Sequence, residues 1–183
     1  LFAAVQATMV GYGLATGARP GPLQWTGIAL ATAGLAWLTL PGAGAPDAPG
    51  ALLMAIAGAA WGVYSVRGRS ATDPLATTAD NFARSAPLGL VFLAAHAASA
   101  HATAAGILLA AVSGALASGG GYALWYAVLP ALGPSRAGTL QLSVPVLATV
   151  GAVALLGEAV TARLAAAGTA ILAGVALALA RRR

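Results

Sequence analysis

The spacing of charge constrains this chain more than any other feature. Nine arginines and four acids are the only charged side chains among 183 residues, and they cut the sequence into long uncharged runs. A helix crossing the ~30 Å hydrocarbon core of a bilayer needs roughly 20 apolar residues. Residues 1–18 are uncharged before Arg19, 20–46 before Asp47, and 48–66 before Arg67. A polar stretch from Arg67 to Arg84 follows, with Asp73-Pro74 and Asp80-Asn81 inside it. Residues 85–135 carry no Asp, Glu or Arg and are long enough for two crossings, with a break near Ser99-Ala100-His101-Ala102-Thr103. Runs 137–157 and 159–180 complete the set, the last interrupted only by Arg163. The count is seven spans, the first truncated.

Composition supports the same class. The chain is 60% hydrophobic and 7% charged, where a soluble domain is nearer a quarter charged. Too few polar side chains exist to cover a water-soluble core, which sets aside a soluble enzyme, a nucleic-acid-binding domain and a disordered chain. The runs lack the period-2 alternation of an outer-membrane barrel, and Ala and Leu favour helices. The fold class is therefore all-α, a polytopic membrane helix bundle. Residue 1 is Leu inside an apolar run, with no basic segment before it. The chain reads as a fragment whose beginning is missing rather than one opening on a signal peptide.

The net charge of +5 acquires a meaning from the spans. With Arg181-Arg182-Arg183 in the cytoplasm, alternation puts eight of the nine arginines on that side and leaves Arg163 alone outside. The short loops make this the orientation favoured by the positive-inside rule. The expected location is a bacterial inner membrane, multi-pass, with a cytoplasmic C-terminus.

Several residues could carry chemistry. Glu158 sits at an outer turn, where its charge suits a helix start, and no acid lies inside a span. His96 and His101 are five residues apart without a nearby carboxylate or Cys, which fits interfacial histidines better than a metal site. Trp61 and Tyr64 share one helix face, as do Ser118, Tyr122 and Trp125. Both sets suit bundle packing or an interfacial aromatic belt; Trp61 and Tyr122 lie nearer mid-span, where they could line a cavity. Gln6 and Gln141 place amides in apolar spans, where each must find a partner in the bundle interior. Pro145 deprives the Gln141 carbonyl of its usual donor, so either a kink or a solute site follows. Gly119-Gly120-Gly121 and the pairs Gly13/Gly17 and Gly58/Gly62 suit close helix packing, or a hinge. Ser118 lacks the glycine two residues before it that an intramembrane serine protease needs, and there is no phosphate-binding loop of the Walker type. No catalytic residue, cofactor or metal is expected.

The chain contains one and a half copies of a unit. Gln6-Ala7-Thr8 leads to Gly17-Ala18-Arg19-Pro20 and a span with Gly27 and Gly34. Gln141-Leu142-Ser143 leads to Gly157-Glu158-Ala159-Val160-Thr161 and a span with Gly168 and Gly174. The second copy is five spans, an odd number, so consecutive copies point in opposite directions, as in many secondary transporters. With Gln24-Trp25-Thr26-Gly27, the stretch from Gly58 to Tyr64, Ser118 to Tyr126, and Gln141 to Pro145, the chain resembles the EamA-like family of the drug/metabolite transporter superfamily.

That resemblance implies ten helices in two inverted five-helix repeats. Residues 1–42 would be the last two helices of the first repeat, and 50–180 the complete second. Two loop positions depart from the family pattern, Ala18 where Glu is frequent and Ala159 where Pro is frequent. The implied function is a secondary transporter that moves a small organic metabolite by alternating access, around a cavity lined by the spans holding Gln6, Trp61, Tyr122 and Gln141. The substrate cavity is expected at Gln6, Trp61, Tyr64, Ser118, Tyr122, Trp125, Gln141 and Pro145. A small-molecule substrate and the lipid bilayer are the expected partners, with a homodimer as an option and no nucleic acid. The alternative is a non-transporting integral membrane interaction module.

Overall fold

A computed structural model of the chain describes residues 1–39 and 47–180. Every regular element among them is helical. Seven helices run in chain order: α1 (Phe2–Ala15), α2 (Pro22–Thr39), α3 (Ala48–Gly68), α4 (Pro74–Ala95), α5 (Ala104–Leu132), α6 (Pro134–Leu156) and α7 (Ala162–Leu179). Four of them, α3, α5, α6 and α7, are both long and apolar enough to cross a membrane. The expected polytopic helical bundle is what forms. Arg181-Arg182-Arg183, the anchor of the charge argument, and residues 40–42 of the first expected repeat lie outside the described residues.

The ends of the helices follow local chemistry. Pro22, Pro74 and Pro134 open α2, α4 and α6, where a missing N–H costs nothing. Asp73, Thr103 and Thr161 cap α4, α5 and α7 by accepting bonds from the N–H groups of Ala76, Gly106 and Leu164. A single residue, Gly133, joins α5 to α6, and its φ of +74° and ψ of 160° lie in a region open essentially to glycine alone.

The polar stretch expected over 67–84 is only partly a loop. The Asp73 cap starts α4 at Pro74, so Asp80, Asn81 and Arg84 lie on a helix, and Arg84 pairs with Asp80 one turn earlier at 2.7 Å. The break expected near Ser99–Thr103 is present: a 3₁₀ turn over Ala97–Ser99 and an extended segment separate α4 from α5.

Two compact units emerge, residues 1–66 with 132–183 and residues 67–131. In the first, Ala31 and Leu35 of α2, Leu142 and Val146 of α6, and Ile171 and Val175 of α7 bury one another. Val10, Ile28 and Ala178 form a separate small cluster that joins α1, α2 and α7. Gly27 and Gly174 let α2 and α7 meet backbone to backbone: a Cβ on Gly174 would stand 2.5 Å from Ala31 N and 2.6 Å from Gly27 O. Gly58 and Gly62 of α3 lie against Leu1, Ala4, Val5 and Thr8 of the α1 segment, the close approach expected of them. In the second unit, α4 from Phe82 onward and α5 as far as Ala117 leave every residue exposed, the surface expected of helices that face lipid tails.

Candidate functional site

The expected cavity residues divide between the two units. In the first, Gln6 projects from α1 and is 5% exposed, and Gln141 of α6 is 4% exposed. The α1 helix packs on α6 where Gly138 comes within van der Waals reach of Met9 and Gln6. The Thr32 hydroxyl of α2 lies 3.0 Å from Gln6 Oε1 and 2.7 Å from its own helix carbonyl at Ile28. One hydroxyl proton serves those two acceptors. Gln6 Nε2 and Gln141 Oε1 are buried and have no partner among the described residues. A buried donor and a buried acceptor are thus both unfilled, each costing about 1–3 kcal/mol while it remains so.

The break at Pro145 takes a form the sequence did not specify. Residues Gln141–Ser143 tighten into a 3₁₀ turn, and the Val144 N–H bonds to the Gln141 carbonyl. The backbone polarity expected to lie open beside Gln141 is therefore satisfied locally, and the orphan is the side-chain oxygen instead. Ser143 donates to Leu140 O at 2.7 Å, and Pro145 itself is half-buried.

Trp61 and Tyr64 are half-buried on one face of α3. The Trp61 ring lies 5.7 Å from that of Phe2, tilted by 55°, so part of its stacking surface is used within the bundle.

In the second unit, Ser118, Tyr122 and Trp125 are half-buried along one side of α5. Tyr122 contacts the Phe82 ring at 5.9 Å. The residue that sequence reasoning passed over is Tyr126, which is 2% exposed and whose hydroxyl accepts from Asn81 Nδ2 at 3.3 Å. Gly68 faces the Tyr126 ring so closely that a Cβ would collide with it. The glycine at 68 was the available signal, since it left a hollow for one large side chain.

Ser113–Gly120, in the middle of α5, is a π-helical segment. Such wide turns are rare and occur often at functional sites. Among the described residues, Cβ atoms at Gly120 and Gly121 would meet nothing within 4 Å, and one at Gly119 would meet Gly114 O of its own helix, at 3.5 Å. Within this unit the packing role expected of these three glycines is not seen. The other sequence candidates stay local. His96 Nδ1 lies 2.9 Å from Phe92 O and its ring stacks on Phe92, while Glu158 is exposed in the turn before α7.

These features can be set beside known proteins. The chain is 47% identical over 182 residues to the "Uncharacterized protein PA1977" of Pseudomonas aeruginosa, covering 100% of this chain and 63% of that protein. The chain therefore spans less than two thirds of that relative's length. No solved structure matches. The model of the EamA-like transporter family matches residues 48–180, which takes in α3 to α7. With its apolar helices and small-solute transport as the family's work, this chain is a multi-pass membrane protein that belongs to the EamA-like transporter family.

Proposed function

We propose that this chain is part of a secondary transporter that carries a small organic metabolite, amino-acid-like or drug-like, across the bacterial inner membrane by alternating access. Residues 1–42 supply the last two helices of one five-helix repeat and 50–180 the whole of an inverted second. The pairing of helices supports this: α1 packs on α6 and α2 on α7, the two pairs whose sequences match as copies. A pseudo-two-fold between inverted repeats brings such equivalents together. The charge distribution favours a cytoplasmic C-terminus. The protein binds and releases its solute without breaking bonds in it.

The observation that carries the reading is the pair of unfilled amides, Gln6 Nε2 and Gln141 Oε1. Polar groups inside an apolar bundle are normally satisfied. A donor and an acceptor left over in matching copies suit a solute that offers both kinds of group and carries no net charge. Trp61 and Tyr64 add aromatic surface in the same unit, and Pro145 holds the 3₁₀ turn that presents Gln141. In the second unit, taken by itself, Ser118, Tyr122 and Trp125 line one side of α5 as candidate solute contacts.

The test is uptake by the full-length protein in liposomes, against a panel of amino acids, nucleosides and related metabolites. Gln6→Ala and Gln141→Ala each raise KM about tenfold, the loss of one well-placed hydrogen bond. Unchanged kinetics in both variants, at normal folded levels, would remove Gln6 and Gln141 from the solute site.

A further inference from the structure

A pocket lies in the first unit, lined by neither Gln6 nor Gln141. It occupies about 170 Å³ between the α1–α2 turn, with Arg19, and the start of α6, with Arg136. Gln24 and Ser135 complete its polar lining. Pockets that enclose a whole organic ligand run to roughly 300–1,000 Å³. This one suits a single compact group.

The chemistry of that group follows from the lining. Arg19 is exposed and Arg136 half-buried, and neither has a carboxylate partner among the described residues. Two uncompensated guanidinium groups on one small pocket favour an anion, and their planar donor forks fit the oxygens of a phosphate. Ser135 also lines the pocket; it is 5% exposed, and its hydroxyl, which faces Gly13 of α1, has no partner among the described residues. Ser135 and Arg136 also stand in the first turn of the 23-residue helix α6, whose leading N–H groups have no intrahelical acceptor. Leu14, Leu23 and Trp25 are exposed at the adjoining ends of α1 and α2. They offer apolar and interfacial surface beside the pocket, where a lipid's glycerol and acyl chains would lie.

We propose that Arg19, Arg136 and Ser135 form a binding site for a phosphate ester group, presented by an anionic phospholipid headgroup or by a soluble phosphate ester. The experiment uses the full-length protein, purified in detergent and stripped of lipid, with unfolding temperature and native mass spectrometry as readouts. It is titrated separately with short-chain phosphatidylglycerol, glycerol phosphate and a phosphate-free glycolipid. Phosphatidylglycerol is expected to bind and raise the unfolding temperature, and the glycolipid to do neither. Arg19→Gln and Arg136→Gln are each expected to weaken that binding about fivefold, the value of one basic residue at a membrane surface. Equal stabilisation by glycerol phosphate assigns the site to a soluble ester; stabilisation by the lipid alone assigns it to the bilayer. Absence of binding by both phosphate compounds overturns the proposal, as does full binding retained in Arg19→Gln, a change on an exposed turn that leaves the fold intact even if Arg136→Gln does not fold.

Discussion

Glycine does opposite things in two regions of this molecule. Along α2 and α7 it removes side chains so that two backbones touch: Gly27 meets Gly174 and Ala178, and Gly34 meets Ala167 and Ile171. Along α5 the run Gly119-Gly120-Gly121 removes side chains where, among the described residues, nothing outside its own helix comes near. Between lipid-immersed helices there is no hydrophobic drive, so close van der Waals contact and polar bonds must hold them. The α2–α7 seam is built on that contact. The α5 glycines show none of it among the described residues and lie instead at the π-helical segment. Glycine content alone predicts neither role; the neighbouring helix decides.

The contrast is broken or upheld most decisively at Gly174. A valine there places carbon against Ala31 N and Gly27 O, both backbone atoms of a packed helix that cannot step aside. Overpacking a rigid contact of this kind costs about 3 kcal/mol. Gly174→Val is expected to abolish the folded species in detergent, read by size-exclusion profile and thermal unfolding. A variant that melts with the parent would show that the seam does not hold α2 to α7.

What the sequence made legible was set by the cost of burying charge. Thirteen charges marked the boundaries of helices well enough to count them, because Arg and Asp are excluded from hydrocarbon whatever the packing. The same ruler misplaced the start of α4, since Asp80 and Arg84 pair along a helix surface and do not end it. Gln6 and Gln141 were legible as buried amides, for an amide in an apolar span has no other stable place. Which atom of each remains without a partner depends on Thr32 and on the 3₁₀ turn at Gln141, and those arise only from packing. Tyr126 was hidden for a related reason. In α5 the π-helical turn shifts the phase of every residue after it, so a regular helical count does not tell which of Trp125 and Tyr126 is the buried one.

Gly68 gives an intermediate case, a glycine made necessary by one ring rather than by a helix. Gly68→Ala drives a methyl into Tyr126, which must swing and loosen its bond from Asn81. The expected loss is about 1–2 kcal/mol. Tyr126→Phe removes the bond without the collision and costs about 1 kcal/mol. Equal losses in the two variants would mean the ring moves freely and the hollow at Gly68 is not shaped for it. A larger loss for Gly68→Ala, read from unfolding midpoints, upholds the fit.

The smallest effect, and the one that separates packing from hinge, is expected at Gly120. An alanine there meets no neighbour, and in a helix interior alanine is favoured over glycine by about 0.5–1 kcal/mol. Gly120→Ala should therefore raise the unfolding midpoint slightly, the opposite sign to Gly174→Val. Transport by the same variant supplies the second half of the argument. If the π-helical segment changes pitch as α5 moves between inward-open and outward-open states, stiffening it lowers the turnover rate and leaves KM unchanged. A variant with higher stability and undiminished turnover would place the moving part elsewhere, and the three glycines would then have no role that either packing or motion explains.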